Sequence, residues 1–526
     1  MIDLTIETGD KFKKSLLKIQ RWCFICGVST IPVMTGPLKF PIAGNQVAYI
    51  FITIGVLTFF IENYIYPNNL TSAEKHMIRF LKVIFLWALL CSVLGVLFYP
   101  SFANIDLNQM RSFRNLFYHV KLVYPNLSDL SFLKGWMLYR ALRNSIAYVA
   151  SSYLLSFWIY HLYCNDWKRG IRDLKKGVMI ASLLLISYST IEVGFLCGSA
   201  SCKAILAKIN VKIYDVAFGN GWWPPLFWDH LQVRSLFPEP SFLGIFLGMA
   251  IPLFFTDFLY KGKMPLAKIC VYFCLVTMLF MSKARTGTIV VGIEFFLFLC
   301  GIYIYAPLSS GEKLKKSAIF IGCTVLAFAF SLGIMSNFKS IDSKVYDSHE
   351  VVNVQNYVQN NVTSIMGNQR SNSARFANAL ATLKVGMGHP LFGVGINTRA
   401  EYIAEQLTDA DKNVGEVRLW LKYMVDQGPM QSGFPDINHF IIIFAEQGII
   451  GLLLFMCPSC AVFIKLILGE KCIKQNVGII ATSSALIGLN IALLSNEGQF
   501  GIFIILGLLM AIIWRKKEVQ TDEFKN

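Results

Sequence analysis

The sequence predicts an all-α integral membrane protein with about 12 transmembrane helices. Of its 526 residues, 55% are hydrophobic and only 15% are charged, and the mean hydropathy is +0.53. Soluble domains carry about 25% charged residues, so this composition is typical of a membrane protein. The apolar runs are about 17–22 residues long, which is the length of a spanning helix rather than that of a barrel strand.

Twelve apolar runs follow one another along the chain. They cover residues 17–35, 43–63, 79–99, 145–163, 177–198, 241–260, 265–282, 286–306, 317–335, 449–468, 477–494 and 499–514. Short basic segments separate many of them, at 168–176, 261–263, 313–316, 471–474 and 515–517. With a cytoplasmic N-terminus, all these segments lie in the cytoplasm, as the positive-inside rule requires, and so does the C-terminus. The net charge of +16 therefore indicates topology and not a nucleic-acid partner.

The same topology divides the chain into three parts. Residues 1–335 hold nine transmembrane helices with short loops and an outer segment near 199–240, residues 336–440 form a large extracytoplasmic (periplasmic) loop, and residues 441–526 hold the C-terminal helices. Residues 100–144 also lie outside, and their aromatic and basic residues are typical of an amphipathic helix in the membrane interface. A loop as long as the one at 336–440 is uncommon unless it is functional.

Three short helices are predicted in the long loop and at its end. Apolar residues at helical spacing predict a helix around 373–383, and a second helix is plausible around 409–422. Residues 438–447 read as a short helix that Gly448 stops, before the span that starts near Ile449.

Three arginines lie on the predicted outer face. Arg234 precedes a span, Arg285 lies in the turn between two spans, and Arg375 lies in the long loop. A single arginine at a membrane boundary is typically an anchor for lipid headgroups. Three that converge would suit phosphate oxygens, because the guanidinium group presents its donors as a fork. We therefore predict that they bind the diphosphate of a lipid-linked substrate.

Two further side chains are candidates for catalysis. Glu239 stands between two prolines at the membrane face, where a carboxylate is costly unless it is used or paired, for example with Arg234. His439 follows the long loop beside Asp436 and Asn438, and imidazole suits proton transfer near neutral pH. A structural role is the alternative for both. No His/Asp/Glu set has metal-site spacing and no nucleotide-binding glycine loop occurs, so we expect chemistry without a metal or a cofactor.

At these residues the sequence resembles the O-antigen polymerase and O-antigen ligase superfamily of bacterial envelope polysaccharide enzymes. The matching segments are Arg234 to Phe242, Lys283 to Gly287, Arg375 to Gly395, and His439 to Gly451 with Glu446 and Gly448 between. Each motif is short, and their order is more specific than any one of them. The resemblance covers roughly the second half of the chain and implies a GT-C-like membrane fold.

The resemblance also implies a glycosyltransferase of the bacterial inner membrane, with its active site on the extracytoplasmic face. Its donor would be an undecaprenyl-diphosphate-linked glycan. Arg234 and Arg285 match the diphosphate-binding arginines of the family, and His439 matches the proposed base. Arg375 and Gly386 fit an arginine–glycine pattern described for the polymerases.

One departure bears on the choice within the superfamily. The ligase signature has a polar residue after the histidine and a later first glycine, whereas Phe440 and Gly448 stand at these positions. The sequence thus favours a polymerase, whose acceptor is a second lipid-linked glycan and for which a chain-length regulator is a candidate partner. A ligase that transfers polymer to lipid A-core is the first alternative. A flippase or transporter is the second, although transporters usually place their functional residues at the midplane of the bilayer.

Overall fold

The computed structural model describes residues 2–34, 36, 46–67, 70–100, 102, 107, 110–214, 231–259, 265–339, 370–428, 430, 433–469, 476–495 and 501–514. All regular structure within these ranges is helical. The predicted class, an all-helical multi-pass membrane protein, is confirmed. The basic segments at 261–263, 471–474 and 515–517 lie outside the described residues, as do 215–230 of the outer segment and 340–369 of the long loop.

The first half of the chain forms nine helices within the described residues. They are α1 (Ile2–Ser29), α2 (Val47–Ile65), α3 (Ser72–Leu97), α4 (Arg111–Val123), α5 (Asp129–Val149), α6 (Leu155–Tyr163), α7 (Trp167–Leu196), α8 (Ala200–Ile213) and α9 (Pro240–Phe255). A π-helical turn, Ala150–Leu154, joins α5 to α6, so that the two make one continuous rod.

The second half adds ten helices to the described part of the chain. They are α10 (Leu266–Met281), α11 (Arg285–Tyr305), α12 (Ser310–Met335), α13 (Arg370–Gly388), α14 (Arg399–Gln406), α15 (Asp409–Lys412), α16 (Gly415–Gln427), α17 (His439–Leu468), α18 (Val477–Ala492) and α19 (Gly501–Ile513). The helix predicted around 373–383 is α13, and the one predicted around 409–422 is divided into α15 and α16.

Each of the twelve predicted spans overlaps one of these helices. Within the described ranges, seven helices are long and apolar enough to cross a membrane: α2, α3, α7, α9 with its 3₁₀ extension to Leu259, α11, α12 and α17. Three more, α10, α18 and α19, are apolar but shorter. The two remaining predicted spans coincide with α1 and with the α5–α6 rod. The sidedness of the chain and its division at 335 and 440 stay predictions, as does the GT-C-like arrangement.

Local sequence explains where the long helices begin. α3 and α12 each start with a capping box, Thr71 with Glu74 and Ser309 with Glu312, in which side chain and backbone exchange hydrogen bonds. Such caps contribute about 1 kcal/mol and fix the polar end of a helix just before its apolar stretch. α9 starts instead with Pro240, whose missing N–H costs nothing in the first turn.

The centre of the bundle is α9, since 94% of its apolar window is buried. Two glycines let α9 and α11 approach closely: a Cβ added to Gly244 would lie 2.8 Å from the Ala284 Cβ, and one added to Gly287 would lie 2.5 Å from the Gly244 Cα. This contact brings the first turn of α9, with Glu239 before it, beside the first turn of α11, with Arg285.

A second, smaller core lies in the polar part of the chain. Small residues of α13 (Ala374, Ala377 and Ala381) pack with Ile403 of α14 and other apolar side chains of α14–α17. We call α13–α16 the cap. Because alanines occupy the buried stripe of α13, this helix packs closely against the beginning of α17.

Candidate functional site

The beginnings of α11 and α17 meet at the end of α18. The backbone N–H of His439 donates to the carbonyl oxygen of Leu493 at 2.9 Å. Two residues further, the Ser495 hydroxyl lies 2.7 Å from the hydroxyl of Thr286, the residue after Arg285. These two hydrogen bonds place Arg285 and His439 at the same end of the bundle.

Arg285 and Arg375 are brought together across the boundary between the bundle and the cap. Arg285 is half-buried at the start of α11, and Arg375 is exposed on α13. The two guanidinium groups are close enough for their like charges to repel each other. Two like charges that lie near one another at a partly exposed surface favour an anion between them.

His439 is held at the first turn of α17 by its surroundings. Its ring packs edge-on against Phe455 with 5.1 Å between the ring centres, and it interacts electrostatically with Asp436 and Arg399. The capping role belongs to the neighbouring Asn438, whose side-chain oxygen accepts a hydrogen bond from the Ile441 N–H at 3.2 Å. Because the side chain of Asn438 caps the first turn of α17, the imidazole of His439 is not needed for that role.

An arginine that the sequence analysis did not single out organises the surroundings of His439. Arg399 of α14 is 3% exposed, and its guanidinium group donates to Glu446 at 2.5 Å and to Asp436. Burial alone lowers the pKa of Arg399, but the charges of Asp436 and Glu446 raise it above the ordinary value overall. Arg399 is therefore a permanent cation that bridges one buried carboxylate and one half-buried carboxylate.

The predicted interruption of the helix at Gly448 is confirmed. It lets another segment of the chain pair with the backbone of α17. Gly448 has φ 68° and ψ −173°, values that interrupt the helical hydrogen bonding of α17. The segment 389–397 takes up the backbone groups thus released: Val394 N–H donates to Ala445 O at 2.9 Å, and Ile449 N–H donates to Pro390 O at 2.8 Å. Segment 389–397 and the stretch from Ala445 to Ile449 are thus two halves of one contact.

The close approach in this contact explains why Gly393 stands there. Gly393 has φ +64°, and a Cβ at this position would lie 2.3 Å from the carbonyl carbon of Glu446. On the other side of the contact, Gly395 N–H donates to Glu446 O and Asn397 N–H donates to its carboxylate, at 2.9 and 3.0 Å. Glu446 is therefore fixed by backbone donors as well as by Arg399.

Arg234 lies deeper than a surface anchor would. Its side chain is 0% exposed, and Nη1 donates to the carbonyl oxygen of Pro238 at 2.5 Å. Glu192, near the end of α7, accepts from the backbone N–H groups of Arg234 and Ser235 at 3.3 and 2.8 Å, and its charge acts on the arginine. In this conformation Arg234 stabilises the turn before α9. Its role as a diphosphate ligand stays a prediction.

Glu239 stands at the boundary of the same turn. It occupies the N-cap position of α9, is half-buried, and accepts a hydrogen bond from the Ser241 hydroxyl at 3.1 Å. The turn itself is tied to the end of α10, because Val233 N–H donates to Met281 O at 3.1 Å, four residues before Arg285. Four of the five predicted site residues thus lie at one end of the bundle, and the fifth, Arg375, lies in the cap at that end.

A signal for Arg399 exists in the sequence. Glu446 lies in an apolar run, where a carboxylate requires a cation. Which cation it takes is decided by the fold, because Arg399 is 47 residues away along the chain. Within the described ranges, no group of three or more His, Cys, Asp or Glu side chains is arranged to hold a metal ion.

Residues 270–456 match a family model described as O-antigen ligase. The matched span runs from α10 into α17 and includes Arg285, Arg375, Arg399 and His439, whereas Arg234 and Glu239 precede it. Over this span the match bears out the superfamily predicted from the short motifs, and it supports a role in envelope polysaccharide biosynthesis. No curated protein and no solved structure is significantly similar to the chain.

Proposed function

Starting from the O-antigen ligase domain at residues 270–456, we propose that this protein is a polysaccharide polymerase of the bacterial inner membrane. It joins undecaprenyl-diphosphate-linked repeat units of the O-antigen or capsule type at the extracytoplasmic face. The observation that carries the proposal is the proximity of Arg285 to Arg375, at the end of the bundle where α17 presents His439. An anion site and a proton acceptor at one boundary between bundle and cap are what a glycosyl transfer from a diphosphate needs.

The diphosphate of the donor is assigned to Arg285 and Arg375. When the bond between the anomeric carbon and the diphosphate oxygen breaks, negative charge builds up on the leaving lipid diphosphate. Fixed guanidinium groups stabilise that charge, which is often the largest single contribution to such a transfer. This arrangement supports a transfer that is independent of a metal ion. Arg234 and Glu239 support the site from the neighbouring turn, as a further diphosphate ligand and as an orienting carboxylate.

His439 is assigned to the acceptor. A hydroxyl of the second lipid-linked glycan attacks the anomeric carbon and gives its proton to the imidazole, while the new C–O bond forms as the old one breaks. A single displacement of this kind inverts the anomeric configuration. Asp436 and Arg399 act electrostatically on His439 and position it. The cap over this end excludes water, which would otherwise hydrolyse the donor.

The proposal is tested with purified protein in liposomes and a lipid-diphosphate-linked repeat unit, with products separated as a ladder on a gel. Wild type should give a ladder, and His439→Ala and Arg285→Ala should each reduce it at least about a hundredfold, within the usual range for a lost acid–base or charge-stabilising group. The matched control is Arg418→Ala, which removes an exposed arginine of α16. A ladder that survives both site changes would refute the assignment of the site.

The ligase is the second candidate, because the description of the matched family names that activity. It would use the same donor site and transfer the polymer to lipid A-core. The two are separated by offering both acceptors in one assay: growth of the lipid-linked chain identifies the polymerase, and polymer on lipid A-core identifies the ligase. Movement of intact lipid-linked glycan across the membrane, with no new bond, would identify the transporter.

A further inference from the structure

Segment 389–397, which joins α13 to α14, lies against the side of α3, one of the helices that are long and apolar enough to cross a membrane. The ring of Phe392 stacks on that of Trp87, with 5.3 Å between the ring centres. Four residues later, the Ile396 N–H donates to the Ser92 hydroxyl at 3.4 Å. Because Ser92 is nearer than Trp87 to the end of α3, this part of the segment rises along the helix.

The contact of Phe392 with α3 is deep. Trp87 lies ten residues before α3 ends, which corresponds to about 15 Å at 1.5 Å per residue. The hydrocarbon core of a bilayer is about 30 Å thick, so this is about half of it. Beyond the segment, the Tyr402 hydroxyl donates to the carbonyl oxygen of Phe98, just past the end of α3, and His389 packs edge-on against Tyr402. The chain thus descends after His389 and returns to the end of α3 at Tyr402.

The backbone of the segment is hydrogen-bonded within the protein. The N–H groups from Gly393 to Asn397 all donate, and their acceptors are the carbonyl oxygens of His389, Ala445 and Glu446, the Ser92 hydroxyl and the Glu446 carboxylate. Irregular backbone at membrane depth is tolerated only where protein groups or a water-filled cavity satisfy it. The rising part of the segment meets this condition with protein groups alone.

The composition of this part differs from that of the rest of the cap. The fourteen residues between Lys384 and Arg399 include no lysine, arginine, aspartate or glutamate. Residues 399–427, which form α14–α16, include ten of them. Charged side chains are costly in hydrocarbon and harmless in water. The uncharged stretch therefore coincides with the part of the cap that descends along α3.

Large apolar side chains are exposed at the lowest part of this stretch. Met387, Leu391 and Phe392 are 58%, 56% and 40% exposed. The neighbouring membrane helices are exposed there as well. Ile449 of α17, whose N–H donates to the carbonyl oxygen of the residue before Leu391, is exposed, and so is Leu86, which precedes the tryptophan on which Phe392 stacks. The apolar surface of the segment thus continues the apolar outer surfaces of α3 and α17.

We propose that segment 389–397 is a re-entrant element, with Met387, Leu391 and Phe392 in contact with the acyl chains of the bilayer leaflet at this end of the bundle. The bilayer is the occupant because the exposed apolar surface joins that of two membrane helices at the depth of Trp87. Part of the loop predicted at 336–440 then lies inside the membrane, and the cap is anchored in lipid. This proposal does not depend on which transfer reaction the protein catalyses.

The first test photolabels wild-type, full-length protein in liposomes that contain phosphatidylcholine with a diazirine in the middle of an acyl chain. After digestion with trypsin, mass spectrometry measures the label on each peptide. Peptide 385–399 should carry at least about tenfold more label than peptide 400–412 of the cap, because only the former reaches hydrocarbon. The positive control is peptide 317–339 of α12, which exposes Val325 and Leu326. If peptide 317–339 is labelled and peptide 385–399 is no more labelled than 400–412, then water or a protein partner covers the segment and the proposal is wrong.

The second test measures the access of water to one position. In liposomes, a membrane-impermeant maleimide should react at least about tenfold more slowly with Leu391→Cys than with Leu419→Cys, since the reactive thiolate forms in water and not in hydrocarbon. Leu419 on α16 is a matched control, because it is 45% exposed against 56% for Leu391 and lies in the same cap. Both thiols should react at the same rate after denaturation in detergent. Equal rates in intact liposomes would overturn the proposal.

Discussion

Arg399 is the cation that bridges Asp436 and Glu446. Removing it should destabilise the folded structure around the site and not merely slow the transfer reaction. Arg399→Met keeps much of the side-chain volume but leaves Glu446, whose side chain is 7% exposed, without its charged partner. Removing one member of a buried ion pair typically costs about 3–5 kcal/mol. Asp436 is 34% exposed and adds little, since solvent takes over its solvation at a cost below about 1 kcal/mol. We therefore expect a loss of about 3–5 kcal/mol, nearly all of it from Glu446.

The measurement is thermal unfolding of the purified protein in detergent, followed by circular dichroism, for the single variants Arg399→Met, Glu446→Gln and Arg418→Met and for the double variant Arg399→Met with Glu446→Gln. Arg399→Met should unfold at a clearly lower temperature than wild type. Adding Glu446→Gln removes the orphaned charge and should restore most of the loss, although it leaves the transfer activity low because His439 loses its neighbours. Arg418→Met, on the exposed face of α16, should match wild type. If the double variant is as unstable as the sum of the two single ones, lost packing is the cause and the electrostatic reasoning is wrong.

Three further predictions concern single positions. Gly448→Ala should abolish the ladder and lower the unfolding temperature, because φ is +68° and the new Cβ would lie 2.1 Å from the Leu391 carbonyl oxygen; a normal ladder would show that the break is dispensable. Glu294→Gln should keep the unfolding temperature of wild type, since the carboxyl group is fully buried and neither oxygen has a hydrogen-bond partner among the described residues. Gly488→Ala should lower the unfolding temperature, because the new Cβ would lie 2.0 Å from Glu294 Oε1. A lower unfolding temperature for Glu294→Gln than for Gly488→Ala would refute this. Burial raises the pKa of Glu401 in α14, so its contribution to stability is greatest below the ordinary glutamate pKa and is lost as the pH rises through the raised value. Glu401→Gln should remove this pH-dependent loss and unfold at a higher temperature than wild type at pH 7. An unfolding temperature that depends on pH in the same way in both proteins would contradict this.

The sequence was sufficient for the elements that depend on local pattern. Apolar runs located a helix at each predicted span, since membrane-length hydrophobicity is a property of contiguous residues. The break at Gly448 was predictable for the same reason, because a glycine within an apolar run after a polar loop is a local signal. Counting spans from a cytoplasmic N-terminus also placed Arg285 and His439 on the same face, and the structure has both at one end of the bundle.

Contacts between distant parts of the chain could not be predicted in the same way. Arg234 looks like a surface arginine in sequence, yet it is buried against Glu192, which is 42 residues upstream at the end of α7. Arg399 is not singled out by the sequence because it lies on α14, whereas its partners Asp436 and Glu446 lie in a loop and in α17. In both cases the identity of the partner is set by which helix ends meet, and no local spacing encodes that.

The contact between segment 389–397 and the interrupted helix α17 has a mechanical consequence. The glycine-rich segment and the helix complete each other's backbone hydrogen bonding at Val394, Gly395 and Ile449. Lifting the segment would therefore break the membrane helix as well, at about 1 kcal/mol for each bond given up. These backbone hydrogen bonds join the cap to the bundle. We therefore expect the cap to stay in place at this contact while long glycans enter and leave the site laterally.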